Sequence, residues 1–417
     1  MGSTFAEKVL SEKAGKKVAP GDIIEITPDL AMSHDNTAAI SKTFYNIGVD
    51  KLFNPDLHIV ILDHCAPAAD QKHATNHKIV REFVKRHGIK KFYDINSGIC
   101  HQIMAEEGLA IPGHVIVGSD SHTTHLGAFG TFSTGIGRSE MAVIMATGKI
   151  WFRVPESMRV IVLGMPPKGI FSKDAALYIV GKTGAAGALY RSVEFSGPYI
   201  DSLPMDYRVV FTNLAVEMGA KNGYIKPDDK TFSYLSLRSK ESYQPVYPDP
   251  DAEYVENVEA DITNIAPQVA CPHAVDNVKP VGEVAGTKIN QAFLGTCSGS
   301  RLCDWQVVAS ILKNRKIHPD CRLICIPASS KVFMDAMKAG YVATIMEAGG
   351  VVTNSGCGPC LGAHQGIPAP GERVISTANR NFKGRMGSSE AEVYLASPAT
   401  VAASALKGEI TDPREFI

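Results

Sequence analysis

Residues 57–95 read LHIVILDHCAPAADQKHATNHKIVREFVKRHGIKKFYDI. An apolar run of strand length at 57–62 is followed by a stretch with helical spacing of apolar residues at 76–86 and by a second short run at 91–95. A strand, an amphipathic helix and another strand in this order are typical of a parallel βαβ unit. The same alternation continues along the chain, so the sequence predicts an α/β fold with mostly parallel sheets.

The remaining predicted elements follow the same pattern. Further strands are predicted at 114–117, 159–163, 291–295, 322–326, 351–352 and 373–377, and further helices at 4–15, 139–148, 208–218, 301–314 and 331–339. One boundary falls near residue 155 and another within the polar, proline-bearing stretch from 228 to 282. Three α/β units are therefore predicted, at 1–155, 156–282 and 283–417.

Composition excludes several classes of protein. The 417 residues carry 42 Lys and Arg against 43 Asp and Glu, a net charge of -1, so no overall positive field is available to hold a nucleic acid. The longest apolar runs fall far short of the ~18 residues that a membrane span needs. The first residues lack secretory features, so a cytoplasmic protein is expected. Nine cysteines are too few for a secreted disulfide scaffold, which predicts reduced thiols.

Histidines and aspartates follow the predicted strands of the first unit. Asp63 and His64 come directly after the run at 57–62, His101 follows the run at 91–95, and Asp120 and His122 follow the run at 114–117. Each residue alone is more typical of a buried polar group or a helix cap. Because the carboxyl ends of parallel strands meet at one edge of a sheet, the set predicts an acid–base site in a cleft.

Three cysteines follow strands of the last unit: Cys297 after the run at 291–295, and Cys357 and Cys360 in a C-x-x-C. Their spacing leaves open a redox pair, a zinc site, an iron–sulfur cluster and structural thiols. A cluster held by three cysteines leaves one iron open to a substrate. A zinc site needs a further ligand, and the other cysteines considered for it are Cys271, Cys303, Cys321 and Cys325.

Two further features have ordinary explanations. Asn213 and Glu217 are four residues apart, which places them on one face of the predicted helix at 208–218, where a solvated polar face is common. The glycine-rich stretch at 127–137 lacks a G-K-[ST] motif and an acidic ribose partner. Close backbone packing, rather than nucleotide binding, is predicted there.

Four motifs resemble the aconitase superfamily: GSDSHT at 118–123, CGPC at 357–360, NRNFKGR at 379–385 and YLASP at 394–398. In length and in its ending, the chain is most similar to the large subunits of two-chain members of the 3-isopropylmalate dehydratase and homoaconitase type. The resemblance covers nearly the whole chain and implies three α/β/α units around a central cleft. It also implies a hydro-lyase that dehydrates and rehydrates a malate-type hydroxy diacid such as 3-isopropylmalate, with 2,3-dimethylmalate or homocitrate as alternatives.

The resemblance also implies roles for individual residues. Cys297, Cys357 and Cys360 match the ligands of a 4Fe-4S cluster with one open iron, and Asn213 and Asn379 match residues beside that cluster. The implied catalytic residues are His64, which protonates the departing hydroxyl, its orienting partner Asp63, and His101, Asp120 and Glu217. The implied substrate-binding residues are His34, Asp35, Ser121, Arg380 and Arg385.

A partner chain is implied as well. Single-chain relatives carry a mobile fourth domain whose serine removes the proton alpha to a carboxylate, and in two-chain relatives that domain is a separate small subunit. The segment at 295–301 reads GTCSGSR where relatives usually read GSCTNGR, so Gly299 replaces an asparagine. The loss of a hydrogen bond beside the cluster is expected from this replacement.

Two functions of other classes are alternatives to the hydro-lyase. The first is a non-catalytic iron–sulfur or zinc protein with a structural or iron-sensing role, as some aconitase-like proteins also bind RNA, and the neutral charge disfavours it. Such a protein would also have no need of Asp63, His64, His101 and Glu217. A nicotinamide dehydrogenase would need a G-x-G-x-x-G fingerprint, which the sequence lacks.

Overall fold

The computed structural model describes residues 2–417. Its strands are β1 Ile23–Ile26, β2 Leu30–Ser33, β3 His58–Ile61, β4 Lys91–Tyr93, β5 Val115–Gly118, β6 Phe132–Gly135, β7 Ile150–Arg153, β8 Ser157–Leu163, β9 Ser192–Ser196, β10 Asn222–Ile225, β11 Glu256–Asp261, β12 Gln268–Ala270, β13 Val278–Pro280, β14 Gln291–Leu294, β15 Arg322–Cys325, β16 Val351–Val352, β17 Arg373–Ser376 and β18 Glu392–Leu395.

The α-helices are α1 Phe5–Ala14, α2 Thr37–Asn46, α3 Gln71–His87, α4 Cys100–Glu106, α5 Arg138–Thr147, α6 Ser172–Thr183, α7 Pro198–Ser202, α8 Met205–Leu214, α9 Asp229–Ser236, α10 Leu302–Leu312, α11 Ser330–Lys338, α12 Tyr341–Glu347 and α13 Pro398–Lys407. The 3-10 helices are Pro55–Leu57, Ser121–Phe129, Ala215–Met218, Val281–Glu283, Gly358–Leu361 and Pro413–Glu415. Within residues 2–417, no helix is both long enough and apolar enough to cross a membrane.

The first sheet has the strand order β4-β3-β2-β5-β6, and all its neighbouring strands are parallel. Strand β3 is buried on both faces, because Ile59 and Ile61 pack in one hydrophobic core while Val60 packs in another. Such two-sided burial explains why this strand reads as a continuous apolar run. The parallel arrangement brings the carboxyl ends of β2, β3 and β5 to one edge of the sheet.

The second sheet, β10-β9-β8-β11, is also entirely parallel. The third has the order β13-β12-β18-β17-β14-β15-β16, in which the strands from β18 to β16 are parallel and β12 and β13 are antiparallel to their neighbours. Strands β1 and β7 form a small antiparallel ribbon. The predicted α/β class with mostly parallel sheets is confirmed.

Two details differ from the sequence prediction. Strands β12 and β13 precede the predicted boundary at residue 282, yet they belong to the third sheet because β12 pairs with β18. The predicted helix at 208–218 is also interrupted: α8 ends at Leu214 and a 3-10 turn continues to Met218. Such tightening is common at helix ends. The division into three units remains a prediction.

Candidate active site

Asp63 and His64 follow β3 at the edge of the first sheet. His64 Nδ1 lies 2.6 Å from Asp63 Oδ1, while Asp63 Oδ2 accepts a hydrogen bond of 2.7 Å from the Cys100 backbone N–H. This arrangement fixes the imidazole ring and leaves Nε2 3.4 Å from Asp120 Oδ2. Burial lowers the pKa of His64, but the charge of Asp63 and the hydrogen bonds with Asp63 and Asp120 outweigh it and hold that pKa well above its usual value. His64 is therefore suited to hold a proton.

Asp120 lies between the two predicted acid–base histidines, His64 and His101. It caps the 3-10 helix that begins at Ser121 by accepting a hydrogen bond of 2.8 Å from the His122 N–H, and its Oδ1 lies 3.4 Å from His101 Nε2. Burial raises the pKa of Asp120, but hydrogen bonds from His122 and His64 hold it well below its usual value. Burial lowers the pKa of His101 to about 4. An anionic carboxylate thus lies between a protonated and a neutral histidine.

Asp35 anchors the loop that carries this pair. Its carboxylate accepts hydrogen bonds from the backbone N–H groups of Asp63, His64 and Cys65, at 2.9, 2.9 and 3.1 Å, and lies 2.9 Å from His77 Nε2. Both oxygens accept hydrogen bonds from the protein, which fixes the loop, and the contact of Asp35 with substrate stays a prediction.

His34, the residue before Asp35, stacks on the His64 ring with the ring centroids 3.8 Å apart. Its Nδ1 is buried and has no hydrogen-bond partner within residues 2–417. Burial lowers the pKa of His34, so its ring is mainly neutral. A neutral imidazole beside a protonated one keeps an acceptor available for a ligand at this position.

Glu217 extends the network toward the third sheet. Its Oε1 lies 2.7 Å from His122 Nε2, and both its carboxylate oxygens accept from Arg380 Nε, at 2.8 and 3.1 Å. Burial raises the pKa of Glu217, but His122 and Arg380 outweigh it and lower that pKa below its usual value. The network therefore runs from His64 through Asp120, His122 and Glu217 to the guanidinium of Arg380.

The three predicted thiols lie at the edge of the third sheet. Cys297 follows β14, Cys357 precedes the 3-10 helix Gly358–Leu361, and Cys360 lies within that helix. All three are less than 10% exposed, and Cys297 and Cys357 pack together with Ile99 and Ala328. Burial raises the pKa of the Cys297 thiol to about 11 and holds that of Cys357 well above its usual value.

Polar side chains are directed at two of these sulfurs. The amides of Asn213 and Asn379 donate to Cys297 Sγ at 3.1 and 3.4 Å, and Arg385 donates to Cys360 Sγ at 3.7 Å. Hydrogen bonds to thiolate sulfur stabilise its negative charge and tune a bound metal centre.

Two backbone hydrogen bonds join the sheet edges into one cleft. The Cys357 N–H donates to the Asp63 carbonyl at 3.0 Å, and the Ile99 N–H donates to the Ala328 carbonyl at 2.8 Å. Cys357 Sγ also lies 3.8 Å from Asp63 Oδ2. The carboxylate that orients His64 therefore borders the thiol pocket directly.

The separation of the thiols distinguishes between kinds of metal centre. A single zinc ion bonds sulfur at about 2.3 Å, so two sulfurs on one ion lie no more than about 4.6 Å apart. Within residues 2–417, the set of three or more potential metal ligands that converge within 4.8 Å is His34, Asp35, Asp63 and His64, and it does not include the three thiols. The three sulfurs therefore do not all lie within 4.8 Å of one another, which disfavours one zinc ion bound by all three. In the set that does converge, Asp35, Asp63 and His64 are joined by hydrogen bonds and His34 stacks on His64.

Gly299 allows two loops of the thiol pocket to meet. A Cβ atom at this position would lie 2.4 Å from Thr377 Cβ, which excludes the asparagine usual in relatives without movement of the backbone. The loss of a hydrogen bond from position 299 stays a prediction, and two other amides, those of Asn213 and Asn379, donate to Cys297.

The remaining predictions have mixed outcomes. Ser121 directly follows Asp120 and also borders a neighbouring cavity of about 310 Å³ with Thr134 and Glu140, and its contact with substrate stays a prediction. A Cβ at Gly127 would lie 1.6 Å from the Gly223 carbonyl oxygen, which confirms close backbone packing in the glycine-rich stretch. The cysteines considered as further zinc ligands lie elsewhere: Cys271 after β12, Cys303 in α10, Cys321 before β15 and Cys325 within β15.

Sequence reasoning missed two residues that support the site. His77 shares a buried face of α3 with Val80 and Val84, and a histidine at an apolar position was the available signal. Lys173, near the start of α6, is 1% exposed and donates to Ser298 beside Cys297. No local pattern distinguishes it from a lysine on a solvated helix.

The fold and the site together define a class: a parallel α/β protein with an acid–base network facing a three-thiol pocket. The family model described as "Aconitase family (aconitate hydratase)" matches residues 7–408, and the chain belongs to this family. Membership implies an iron–sulfur cluster.

Similar proteins extend over nearly the full chain. The chain is 47% identical over 418 residues to "3-isopropylmalate dehydratase large subunit 1" of Methanopyrus kandleri, covering 100% of both chains. It is 50% identical over 389 residues to "Probable methanogen homoaconitase large subunit" of Methanosarcina mazei, covering 93% of this chain and 99% of the relative. It is 47% identical over 424 residues to "3-isopropylmalate dehydratase large subunit" of Aquifex aeolicus, covering 100% of this chain and 98% of the relative.

Proposed function

We propose that the protein is the large catalytic subunit of a 4Fe-4S hydro-lyase that isomerises 2- and 3-isopropylmalate by dehydration and rehydration. The observation that carries this proposal is the position of Asp63, which orients His64 through one oxygen and borders Cys357 with the other. A proton donor and the thiol pocket thus share one carboxylate. The names of relatives that are 47% identical support the choice of substrate.

The proposed cluster ligands are Cys297, Cys357 and Cys360, with Asn213 and Asn379 donating to the first of them. When bound, the cluster supplies a Lewis acid at the iron that has no cysteine ligand, which polarises the hydroxyl and carboxylate of the substrate. The free cysteines favour a reducing compartment, so we place the enzyme in the cytoplasm.

His64 is the proposed general acid. Asp63 holds Nδ1 and stabilises the imidazolium, so the proton on Nε2 is directed toward the cleft, where it passes to the departing hydroxyl. His101 and Asp120 form the second proposed pair and hold the resulting water close to His64. Glu217, kept anionic by His122 and Arg380, accepts a hydrogen bond from this water.

Arg380 and Arg385 are proposed to bind the substrate carboxylates. Arg380 uses Nε for Glu217, which leaves its terminal nitrogens available, and Arg385 has a buried Nε with no hydrogen-bond partner within residues 2–417. A guanidinium group binds a carboxylate through two parallel hydrogen bonds. His34 and Ser121 are the proposed neutral contacts beside them.

A small subunit with a mobile domain is the proposed partner, and its serine removes the proton alpha to a carboxylate. The term "large subunit" in the names of the relatives supports this. The three α/β units at 1–155, 156–282 and 283–417 would then supply the cleft that the partner covers. The boundary between the second and third units would move from residue 282 to a position before β12.

The test combines the anaerobically reconstituted chain with a candidate small subunit and follows conversion of 3-isopropylmalate. Turnover in the complex, with none in either chain alone, is the expected result. Faster turnover of homocitrate would identify the homoaconitase alternative, which the 50% identical relative supports, and 2,3-dimethylmalate tests the remaining alternative. No turnover of any branched malate by a cluster-loaded complex would contradict the proposal.

A further inference from the structure

Lys173 holds two loops of the thiol pocket together. Its Nζ lies 2.9 Å from Ser298 Oγ, which is beside Cys297 in sequence. It also lies near three oxygens of the loop after β17, at 3.1 Å from the Ala378 carbonyl, 3.3 Å from the Thr377 carbonyl and 3.4 Å from Asn379 Oδ1. An ammonium has three N–H donors, so these acceptors satisfy it fully.

Within residues 2–417, the Lys173 ammonium forms no direct ion pair. All four acceptors are neutral oxygens, and within the described part of the chain Lys173 forms no ion pair with a carboxylate. At 1% exposure it also has almost no contact with solvent. An ammonium in such surroundings is strongly unfavourable unless a negative charge lies nearby.

The thiol pocket supplies that negative charge once metal is bound. Lys173 donates to Ser298, the residue after Cys297, and lies beside Asn379, whose amide donates to Cys297 Sγ at 3.4 Å. Cysteine ligates metal as thiolate, so cluster binding adds negative charge opposite the ammonium.

We propose that Lys173 is a positioning residue that compensates the negative charge of the thiolate-bound cluster and fixes the Cys297 loop against the Asn379 loop. This inference rests on the proposed cluster. If Lys173 compensates charge, removing its charge should disfavour the addition of an electron to the cluster. If Lys173 also fixes the two loops, removing it should make the chain hold iron less firmly.

The test replaces Lys173 by methionine, which has similar length and no charge. The matched control is Lys182→Met, which removes an exposed lysine from the same helix. After anaerobic reconstitution, the reduction potential of the cluster is measured by spectroscopic titration and the rate of iron loss to a chelator is followed. For K173M, we expect a more negative potential and roughly tenfold or more faster iron loss. For K182M, we expect wild-type values.

Several outcomes separate this inference from the proposed function. Wild-type potential and iron loss in K173M would overturn the role of Lys173 while leaving the cluster in place. Failure of the wild-type chain to bind a cluster would overturn both proposals.

Two further variants keep the test decisive if K173M does not fold. Lys173→Gln removes the charge but retains a donor, and it is expected to shift the potential in the same direction. If neither neutral variant folds, Ser298→Ala decides, because it removes one acceptor and leaves the lysine in place. Faster iron loss in S298A supports the loop contact, and unchanged iron loss overturns the inference.

Discussion

The two sides of the cleft are buried to a similar extent but differ in how far the protein itself satisfies their polar groups. On the first-sheet side, Asp35 and Asp63 have hydrogen-bond donors on both carboxylate oxygens. On the third-sheet side, Cys297 accepts from two amides, but the sulfurs of Cys357 and Cys360 each have a single long polar contact, at 3.8 and 3.7 Å. The hydrogen-bond network of the acid–base side is therefore preorganised. The polar contacts of the Cys357 and Cys360 sulfurs would be completed only by the proposed cluster.

The largest effect is expected on the thiol side. Cys357→Ser removes a thiolate ligand, so bound iron and turnover should be lost together while the secondary structure is kept. Iron analysis, circular dichroism and an activity assay of the complex measure this. Cys303→Ser is the matched control, because Cys303 lies in α10 outside the pocket and should leave the iron content unchanged. Turnover that persists without iron would contradict the proposed role of Cys357 as a ligand of a catalytic cluster.

His64→Ala tests the acid–base side of the cleft. Because the cysteine ligands remain, the iron content should be unchanged, and turnover should fall ~100-fold or more, the scale of a general acid. Steady-state kinetics of the cluster-loaded complex give this ratio. His73→Ala, at the start of α3, is a histidine control with no expected effect. Unchanged turnover in H64A would remove His64 from the role of acid.

The preorganised hydrogen bonds of Asp35 predict that the stability of the cluster-free chain depends on pH. Burial raises the pKa of Asp35, but the hydrogen bond with His77 and the charges of nearby histidines hold it far below its usual value. Its stabilisation is therefore full above the unfolded pKa of about 3.9 and is lost as the pH falls further.

Asp35→Asn should lower the unfolding free energy near neutral pH by about 3 kcal/mol, because a charged acceptor of several N–H groups is lost. It should also flatten the acid side of the stability curve. Denaturant unfolding over a series of pH values measures both effects. A variant with the wild-type slope below pH ~4 would show that Asp35 does not hold the loop.

The smallest effect concerns the backbone of the thiol side. Gly299→Ala places a Cβ against Thr377 and should lower the unfolding free energy by about 1 kcal/mol. Gly282→Ala is the matched control, because its Cβ would meet nothing within 4 Å. Denaturant unfolding of both variants gives the difference. Equal stabilities would mean that the close approach of the two loops is not constrained.

Much of the acid–base side can be predicted from the sequence. Asp63, His64 and Asp120 each follow an apolar run, and parallel pairing of β2, β3 and β5 brings them to one edge. Strand period and helix spacing are local properties, so most of the predicted elements end within a residue or two of their observed ends, although many observed elements, such as β2 and α6, were not predicted.

The parts that could not be predicted depend on contacts between distant segments. Lys173 reaches loops far along the chain, and its own helix gives no sign of that contact. The pairing of β12 with β18, which moves the start of the third sheet, is likewise a long-range contact. The contact between Cys297 and Cys357, which lie 60 residues apart in the chain, depends on the same long-range packing.

The most direct test of the central claim is an iron and sulfide count on the wild-type chain after anaerobic reconstitution in the presence of competing zinc. Four irons and four sulfides per chain, with the visible absorption of an iron–sulfur centre, are predicted from a pocket of three thiolates. A colourless chain that binds one zinc ion and no sulfide would contradict the claim, because it would show that the thiols converge on a single metal.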